Sequence, residues 1–537
     1  MVLAGCPTWP DEFATFYREK GCWQGKTFGQ LLQENANKYG NQIAMTDGET
    51  EVSYSDFNAN VDQLAAGLQR LGIQKEDRVV VQLPNQLAFF DVVFALFRLG
   101  AIPVYALPAH RYSEISYFCE FAEAKAYIIP DTYGGFNYTA LANDVQKSVN
   151  SLEHIIVHGE TNEYTSLSEL YLQAEFKEPE IKASEIAFLQ LSGGSTGLSK
   201  LIPRTHDDYI YTLHLSNQIC RINENSVFLA VLPIAHNFPM SSPGVLGILY
   251  AGGKVVLSLG SSPDKAFPLI EKEQVNITAL VPPIALIWLE AIKSHEDDLT
   301  SLQVIQVGGA KFSAEVAKRI QPAFDCKLQQ VFGMAEGLVN YTRLDDPDEI
   351  IVHTQGKPMS AYDEIRIVDE EDTIVPIGEV GELLTRGPYT IRGYYMAPVH
   401  NRKAFTSDGF YRTGDLVSVN EHGYITVEGR DKDQINRGGE KIAAEEVENH
   451  LLAHANVFDA AIVAMPDKFL GERTCAFLIL KSPSEKPADF RNFLREKGLA
   501  AYKIPDRVEI VEAFPQTPFG KVSKKTLRQQ IAQKINI

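Results

Sequence analysis

The sequence predicts an α/β protein. A large N-terminal domain of parallel sheets is layered with helices and carries a small β-barrel-like subdomain, and a small α+β domain follows it. Three observations predict this. Short continuous apolar runs alternate with helical periodicity as far as Val307, the pattern of strands buried on both faces. From about residue 363 short strands and Gly-rich turns replace that alternation. The chain, at 537 residues, is too long for one core.

In chain order, residues 27–36 carry helical periodicity and 43–46 read as a strand. A helix over 56–71 places Phe57, Val61, Leu64, Leu68 and Leu71 on one face, with Ser55 as its expected cap. A strand within 77–83, a helix over 87–99 and a strand over 102–105 come next. The apolar stretch 87–107 contains Asp91, Arg98 and Pro103, so it reads as buried helix and strand and not as a membrane span. Further strands are expected at 125–129, 154–157, 186–190, 226–231, 254–257, 277–281 and 304–307. In the second region 364–368 and 378–384 suggest an antiparallel or barrel-like sheet. Past residues 429–433 the chain restarts with a helix (443–452), strands (460–464 and 475–480), a helix (488–496) and a basic helical tail. The expected division is therefore 1–431 and 432–537.

A formal net charge of −19 argues against nucleic acid or an anionic membrane as the main partner. The six cysteines are scattered without metal-ligand spacing, as suits a reducing compartment. Asp11, Glu12, Arg18 and Glu19 near the N-terminus do not suit a signal peptide, so a cytoplasmic location is expected.

Four stretches carry chemistry. Residues 192–199 hold four Ser/Thr and three Gly, and Lys200 closes the loop after a buried strand. Glycines let backbone N–H groups turn inward on a polyanion, hydroxyls add donors, and the ammonium adds charge. Leu198 and Ser199 separate Gly197 from Lys200, so this is not a Walker loop. Residues 330–336 read as a strand running into a Gly turn that ends at Glu336, a carboxylate suited to Mg2+ beside substrate phosphates. Taken alone, Glu336 would also suit a helix start. Asp415 follows a Gly turn, where it can accept from both ribose hydroxyls or simply cap its own backbone. Lys521 follows Gly520 on a turn between apolar residues of the small domain, which could close over a cleft.

Together the loop at 192–200, residues 332–336, 411–416, 429–440 and Gly520-Lys521 resemble, in order, the core motifs of the adenylate-forming enzymes. Residues 236–244, 331–346 and 429–446 are most similar to the stand-alone 2,3-dihydroxybenzoate–AMP ligases of catechol siderophore synthesis. The resemblance spans essentially the whole chain and implies a mobile C-terminal lid. It implies an ATP-dependent ligase that turns an aryl acid into an aryl-adenylate plus pyrophosphate. The aryl group then passes to the phosphopantetheine thiol of an aryl carrier protein, or alternatively to free coenzyme A.

The residue roles come from that resemblance. Ser192, Gly193, Gly194, Ser195, Thr196, Gly197 and Lys200 would hold the β/γ-phosphates of ATP. Gly309, Ala310, Val331 and Phe332, with Ala335, would border the nucleotide, and Asp415 and Arg430 would fix the ribose. Glu336 would hold Mg2+, Lys521 would bridge the substrate carboxylate and the α-phosphate, and Lys441 would touch the nucleotide or acceptor side. Lys432 falls at the implied hinge. The pantetheine arm would enter beside Gly438 and Gly439, with Arg437 and Arg473 facing an acidic carrier. Asn237 replaces the Asp of amino-acid-activating relatives, which favours an aryl acid lacking an amine. Phe238, Ser242 and Val339 complete the implied pocket, with His236 as a packing residue or gate. Phe238 stands where dihydroxybenzoate members usually carry Tyr, so salicylate and 2,3-dihydroxybenzoate both remain candidates.

Overall fold

The computed structural model describes residues 3–161, 163–174, 176–192, 199–430, 433–437, 440–467, 470–497, 499, 501–518 and 520–535. Two large sheets organise the first part of the chain. The nine-stranded sheet runs in spatial order Lys357–Pro358, Gly337–Tyr341, Lys327–Met334, Val304–Gly308, Ile277–Leu280, Val227–Ala230, Lys254–Leu257, Ile43–Thr46 and Glu51–Ser53. Its central pairings are parallel, and antiparallel strands close it at both edges. The seven-stranded sheet has the order Leu201–Thr205, Ile186–Leu191, Ile102–Tyr105, Arg78–Val81, Ala126–Pro130, His154–His158 and Thr165–Ser166. All of its pairings are parallel except the first, a hairpin.

One core cluster includes residues of both sheets and the helices around them. Helix Leu87–Leu99 is buried from Ala88 through Leu99, as its all-round apolar sequence requires. The two charged residues inside it have partners. Arg98 pairs with Asp62 and donates to Asn58 Oδ1 at 2.6 Å, and Asp91 accepts from the Tyr171 hydroxyl at 2.8 Å. Among the described residues no helix is long and apolar enough to cross a membrane. All six cysteines are buried and unpaired.

The expected helix at 56–71 starts earlier, as Tyr54–Leu71, and its cap is Ser53, not Ser55. Strand Glu51–Ser53 leads straight into the helix, so Ser53 is the last extended residue and its Oγ accepts the Asp56 N–H at 3.0 Å. Ser55 already lies within the first turn.

Of the two options for the second region, the antiparallel one is seen: Glu364–Val368, Gly381–Arg386, Tyr411–Val419 and Ile425–Arg430 pair in sequence order. A separate five-stranded sheet contains only strands from Ile435 onward. Its two clusters centre on Ile435, Val447, Leu478 and Phe490 on one side and on Val463, Phe477, Leu527 and Ile531 on the other.

Candidate active site

The Gly/Ser loop joins the antiparallel strands Ile186–Leu191 and Leu201–Thr205. Its neck is closed by two hydrogen bonds: Ser192 N–H donates to the Lys200 carbonyl and Lys200 N–H donates to Ser192 Oγ, each at 2.9 Å. Gly193, Gly194, Ser195, Thr196 and Gly197 lie outside the described residues, as do Lys432, Gly438, Gly439 and the side chains of Arg430 and Lys441. Burial, then the charges of Lys200 and Lys403, push the His400 pKa down, so Lys200 acts on that imidazole. The His400 ring packs 5.1 Å from Tyr394, whose hydroxyl donates to Glu336 Oε1 at 2.8 Å and lies 3.0 Å from the Tyr411 hydroxyl. The charge of Lys200 is thus felt at a ring that reaches Glu336 through Tyr394.

Glu336 does not start a helix. It occupies the turn between strands Lys327–Met334 and Gly337–Tyr341, and it is buried. Two backbone segments cross closely behind it: Ile391 N–H donates to the Glu336 carbonyl at 2.8 Å, and a Cβ on Gly337 would stand 2.4 Å from Thr390 Cα. With φ at +129°, only glycine suits that position. The crossing is pinned by Arg204, which donates to the Ala335 carbonyl at 2.7 Å and the Tyr389 carbonyl at 3.2 Å. Arg204 pairs with Asp208 at 2.6 Å, both fully buried. Asp208 also accepts from the N–H and hydroxyl of Thr205, the cap of the following helix. Burial raises the Asp208 pKa while Arg204 and the Thr205 donors pull it back, an arrangement that holds only while the guanidinium stays in place.

The implied aryl pocket is built on the short helix Asn237–Ser241. His236 Nδ1 accepts the Phe238 N–H at 3.3 Å, so a neutral ring carries its proton on Nε2. Burial and then the charge of Lys521 hold the His236 pKa well below its ordinary value. The charge of Lys521 is thus felt at His236. Asn237 is buried, and its Oδ1 accepts from the Tyr209 hydroxyl at 2.8 Å. The Phe238 ring lies against Gly308, where a Cβ would stand 2.8 Å from Cζ. Ser242 is buried, and the nearby Tyr341 hydroxyl pairs with Ser216 Oγ at 2.8 Å. Val339, also buried, donates its N–H to the Tyr389 hydroxyl at 3.1 Å, and that hydroxyl donates to Asp363 Oδ2 at 2.6 Å. Burial lifts the Asp363 carboxyl to about 7.

On the nucleotide side, Gly309 (φ +82°) and the exposed Ala310 leave strand Val304–Gly308 next to the buried Val331 and half-buried Phe332. Asp415 sits inside strand Tyr411–Val419, where Gly414 at φ +70° accompanies an interruption in the ladder. It is buried and lies directly opposite Arg430 in the next strand.

Lys521 closes a tight turn. Thr517 N–H donates to the Lys521 carbonyl at 2.7 Å, Lys521 N–H donates to Thr517 Oγ1 at 3.2 Å, and Gly520 has φ +81°. Of the two arginines expected to face a carrier, Arg437 grips Asp506 with two hydrogen bonds (2.8 and 3.0 Å) and Arg473 pairs with Asp467 at 2.8 Å.

Sequence reasoning passed over Tyr209, Arg204, Tyr389, Asp363 and Tyr394. The pattern Thr205-x-x-Asp208 was the available signal for the Arg204 cluster, a capping box directly after a strand. The tyrosines offered none, because their partners lie 17 to 58 residues away in sequence.

This ground plan belongs to a known class. The model of the AMP-binding enzyme family matches residues 32–395, and that of the AMP-binding enzyme C-terminal domain matches residues 446–521. The chain belongs to the AMP-binding enzyme family. It is 65% identical over 534 residues to the 2,3-dihydroxybenzoate-AMP ligase of Bacillus subtilis (strain 168), covering 99% of each chain. It is 48% identical to enterobactin synthase component E of Escherichia coli (strain K12), covering 98% of each. Among solved structures, apo MbtA of Mycobacterium smegmatis aligns with a TM-score of 0.77 at 42% identity, over 98% of this chain and 99% of that one.

Proposed function

We propose that the protein activates 2,3-dihydroxybenzoate, or the closely related salicylate, with ATP for siderophore synthesis. In this reading it then passes the aryl group to the phosphopantetheine thiol of an aryl carrier protein. The observation that carries the reading is the 65% identity, over 534 residues and 99% of each chain, to a 2,3-dihydroxybenzoate-AMP ligase. The buried Asn237 and the lysine turn at Thr517 to Lys521 support it.

In the first step a carboxylate oxygen attacks the α-phosphorus and the bond to pyrophosphate breaks. In the second, the thiol sulfur attacks the acyl carbon and AMP leaves. Neither step needs an enzyme nucleophile, because the acyl phosphate is already activated, so the work is positioning and charge stabilisation. Ser192 to Lys200 hold the departing phosphates. Asp415 and Arg430 orient the ribose, and Lys521 neutralises charge as the new bond forms. Glu336 fits Mg2+, which takes one or two carboxylates together with substrate phosphates; the ion would offset phosphate charge. The Tyr394 hydroxyl holds Glu336 Oε1 and so orients the carboxylate. Residues 1–431 act as the core and 432–537 as a lid turning about Lys432, with Gly438 and Gly439 beside the thiol's entry. The absence of a membrane-length helix among the described residues supports a cytoplasmic setting.

The test is ATP–pyrophosphate exchange with a panel of acids. Exchange is expected with 2,3-dihydroxybenzoate and salicylate, weakly with benzoate and not with amino acids. Exchange driven by amino acids alone, or by no aryl acid, overturns the reading.

A further inference from the structure

A chain with a net charge of −19 repels a polyphosphate unless cations gather locally without acids to cancel them. The Gly/Ser loop supplies one cation, Lys200, and three segments of backbone meet beside it. Tyr395 N–H donates to the Leu201 carbonyl at 2.9 Å, which sets residues 394–395 against the strand that leaves the loop. The short helix Pro398–Ala404 is tied to the same segment: Asn401 Oδ1 accepts the Tyr394 N–H at 2.9 Å, and Asn401 Nδ2 donates to the Tyr394 carbonyl at 3.0 Å. Ala404 of the helix, Ile202 of the strand and Tyr394 share one apolar cluster, which fixes the helix against the loop's exit.

The helix carries three basic side chains, and its period sorts them. His400 and Lys403 are three residues apart and share a face, whereas Arg402 lies nearly opposite His400 on the turn. The His400 ring packs 5.1 Å from that of Tyr394, whose hydroxyl donates to Glu336, the carboxylate suited to Mg2+. The charges of Lys200 and Lys403 both act on the His400 imidazole. Among the described residues no ion pair includes Lys200, His400, Arg402 or Lys403. Elsewhere in this region arginines find acids: Arg386 pairs with Glu364, and Arg412 with Asp372 and Glu382. Unpaired cations on so acidic a chain suit an anion from outside it.

We infer that His400 and Lys403 extend the phosphate site beyond the Gly/Ser loop, holding the outer phosphates of ATP and the pyrophosphate that leaves. The inference rests on the ATP-dependent reading above and adds two contacts to it. An imidazole nitrogen donates to a phosphate oxygen in its neutral form as well as its charged one, and an ammonium supplies charge without demanding one direction. Both act away from the bond that forms at the α-phosphorus. They therefore bear on the binding of ATP and pyrophosphate, and not on that of the aryl acid.

The test measures the KM values for pyrophosphate, ATP and aryl acid in exchange. Lys403→Glu is expected to raise the KM for pyrophosphate by about tenfold or more, and His400→Ala by roughly threefold to tenfold. The KM for ATP should follow in each, and that for the aryl acid should stay within about twofold. Arg402→Glu makes the same change of charge on the far side of the helix and should shift the KM for pyrophosphate by less than about twofold. Calorimetric titration with magnesium pyrophosphate, which needs no aryl acid, should show the same weakening in Lys403→Glu. An unchanged KM for pyrophosphate in both His400→Ala and Lys403→Glu overturns the inference. So does an equal rise in Arg402→Glu, which would reduce the effect to a general field, or a parallel rise in the KM for the aryl acid. A rise in the KM for the carrier protein in place of pyrophosphate would assign this face to a protein partner and overturn it too. If Lys403→Glu weakens pyrophosphate binding but no aryl acid drives exchange in the parent, the two contacts stand and the aryl-acid reading falls.

Discussion

The wall that holds Asn237 and Glu336 and the turn that carries Lys521 are built on opposite principles. The wall is a buried network: Arg204 clamps the Ala335 and Tyr389 carbonyls, Tyr209 donates to Asn237, and Tyr389 bridges Val339 to Asp363. Lys521 sits on a turn closed by backbone hydrogen bonds and one threonine hydroxyl. The helix that follows it, Lys524–Lys534, is anchored inside the small domain, with Lys524 paired to Glu448 at 2.7 Å and Arg528 to Asp433 at 2.7 Å. The wall is made accurate by packing; the lysine is made accurate by where its domain docks. Damage to the first should appear in stability and substrate choice, and damage to the second in rate.

The largest effect is expected at the wall's anchor. Arg204→Met leaves Asp208 buried without its partner and should lower unfolding free energy by about 3–5 kcal/mol, measured by urea titration. A change near zero would mean that packing alone holds the crossing. Next comes Lys521→Ala, which should slow pyrophosphate exchange by about 10²–10³-fold. Its melting temperature should hardly move, and the variant should still consume a supplied aryl-adenylate with a thiol acceptor. Parallel loss of both half-reactions would assign Lys521 to the fold or to both steps.

A smaller effect is expected from Asn237→Asp, which places a negative charge in a pocket meant for an anionic acid. Its kcat/KM for 2,3-dihydroxybenzoate should drop by roughly 10–100-fold, and an unchanged value would remove Asn237 from the pocket. The smallest concerns docking. Asn449 Oδ1 accepts from Ser313 Oγ at 2.6 Å and from Glu315 N–H at 3.4 Å, at the start of helix Ala314–Phe324. Removing that bond with Asn449→Ala is worth about 1 kcal/mol. Exchange should slow a few-fold while transfer from a supplied adenylate is spared. Equal slowing of both steps would show that the contact does not belong to the adenylating arrangement alone.

Much of the fold was legible because its signals are local. Helix Leu87–Leu99 and the strands Ile102–Tyr105 and Lys254–Leu257 stand where periodicity put them, since continuous apolar runs leave few alternatives for a doubly covered sheet. Local signals failed where a neighbour in space decided. Ser53 caps its helix in place of Ser55 because a three-residue strand delivers the chain there. Glu336, plausible as a helix start, occupies a hairpin turn because strand Gly337–Tyr341 pairs back on its predecessor. Arg437 and Arg473, expected to face an acidic carrier, each also hold an acidic partner within their own domain, which sequence spacing does not reveal.

The sequence by itself determined the class of reaction. A Gly/Ser loop closed by Lys200, a carboxylate after a Gly turn, an aspartate after another Gly turn and a lysine behind a glycine are each short, contiguous pieces of chemistry. Their order along the chain needs no geometry to be read. Only the tertiary structure decided what the key amide pairs with and how the glutamate's turn is held. Those properties depend on Tyr209, Arg204, Tyr389 and Tyr394 acting across the fold, and hydrogen-bond polarity exists only between partners.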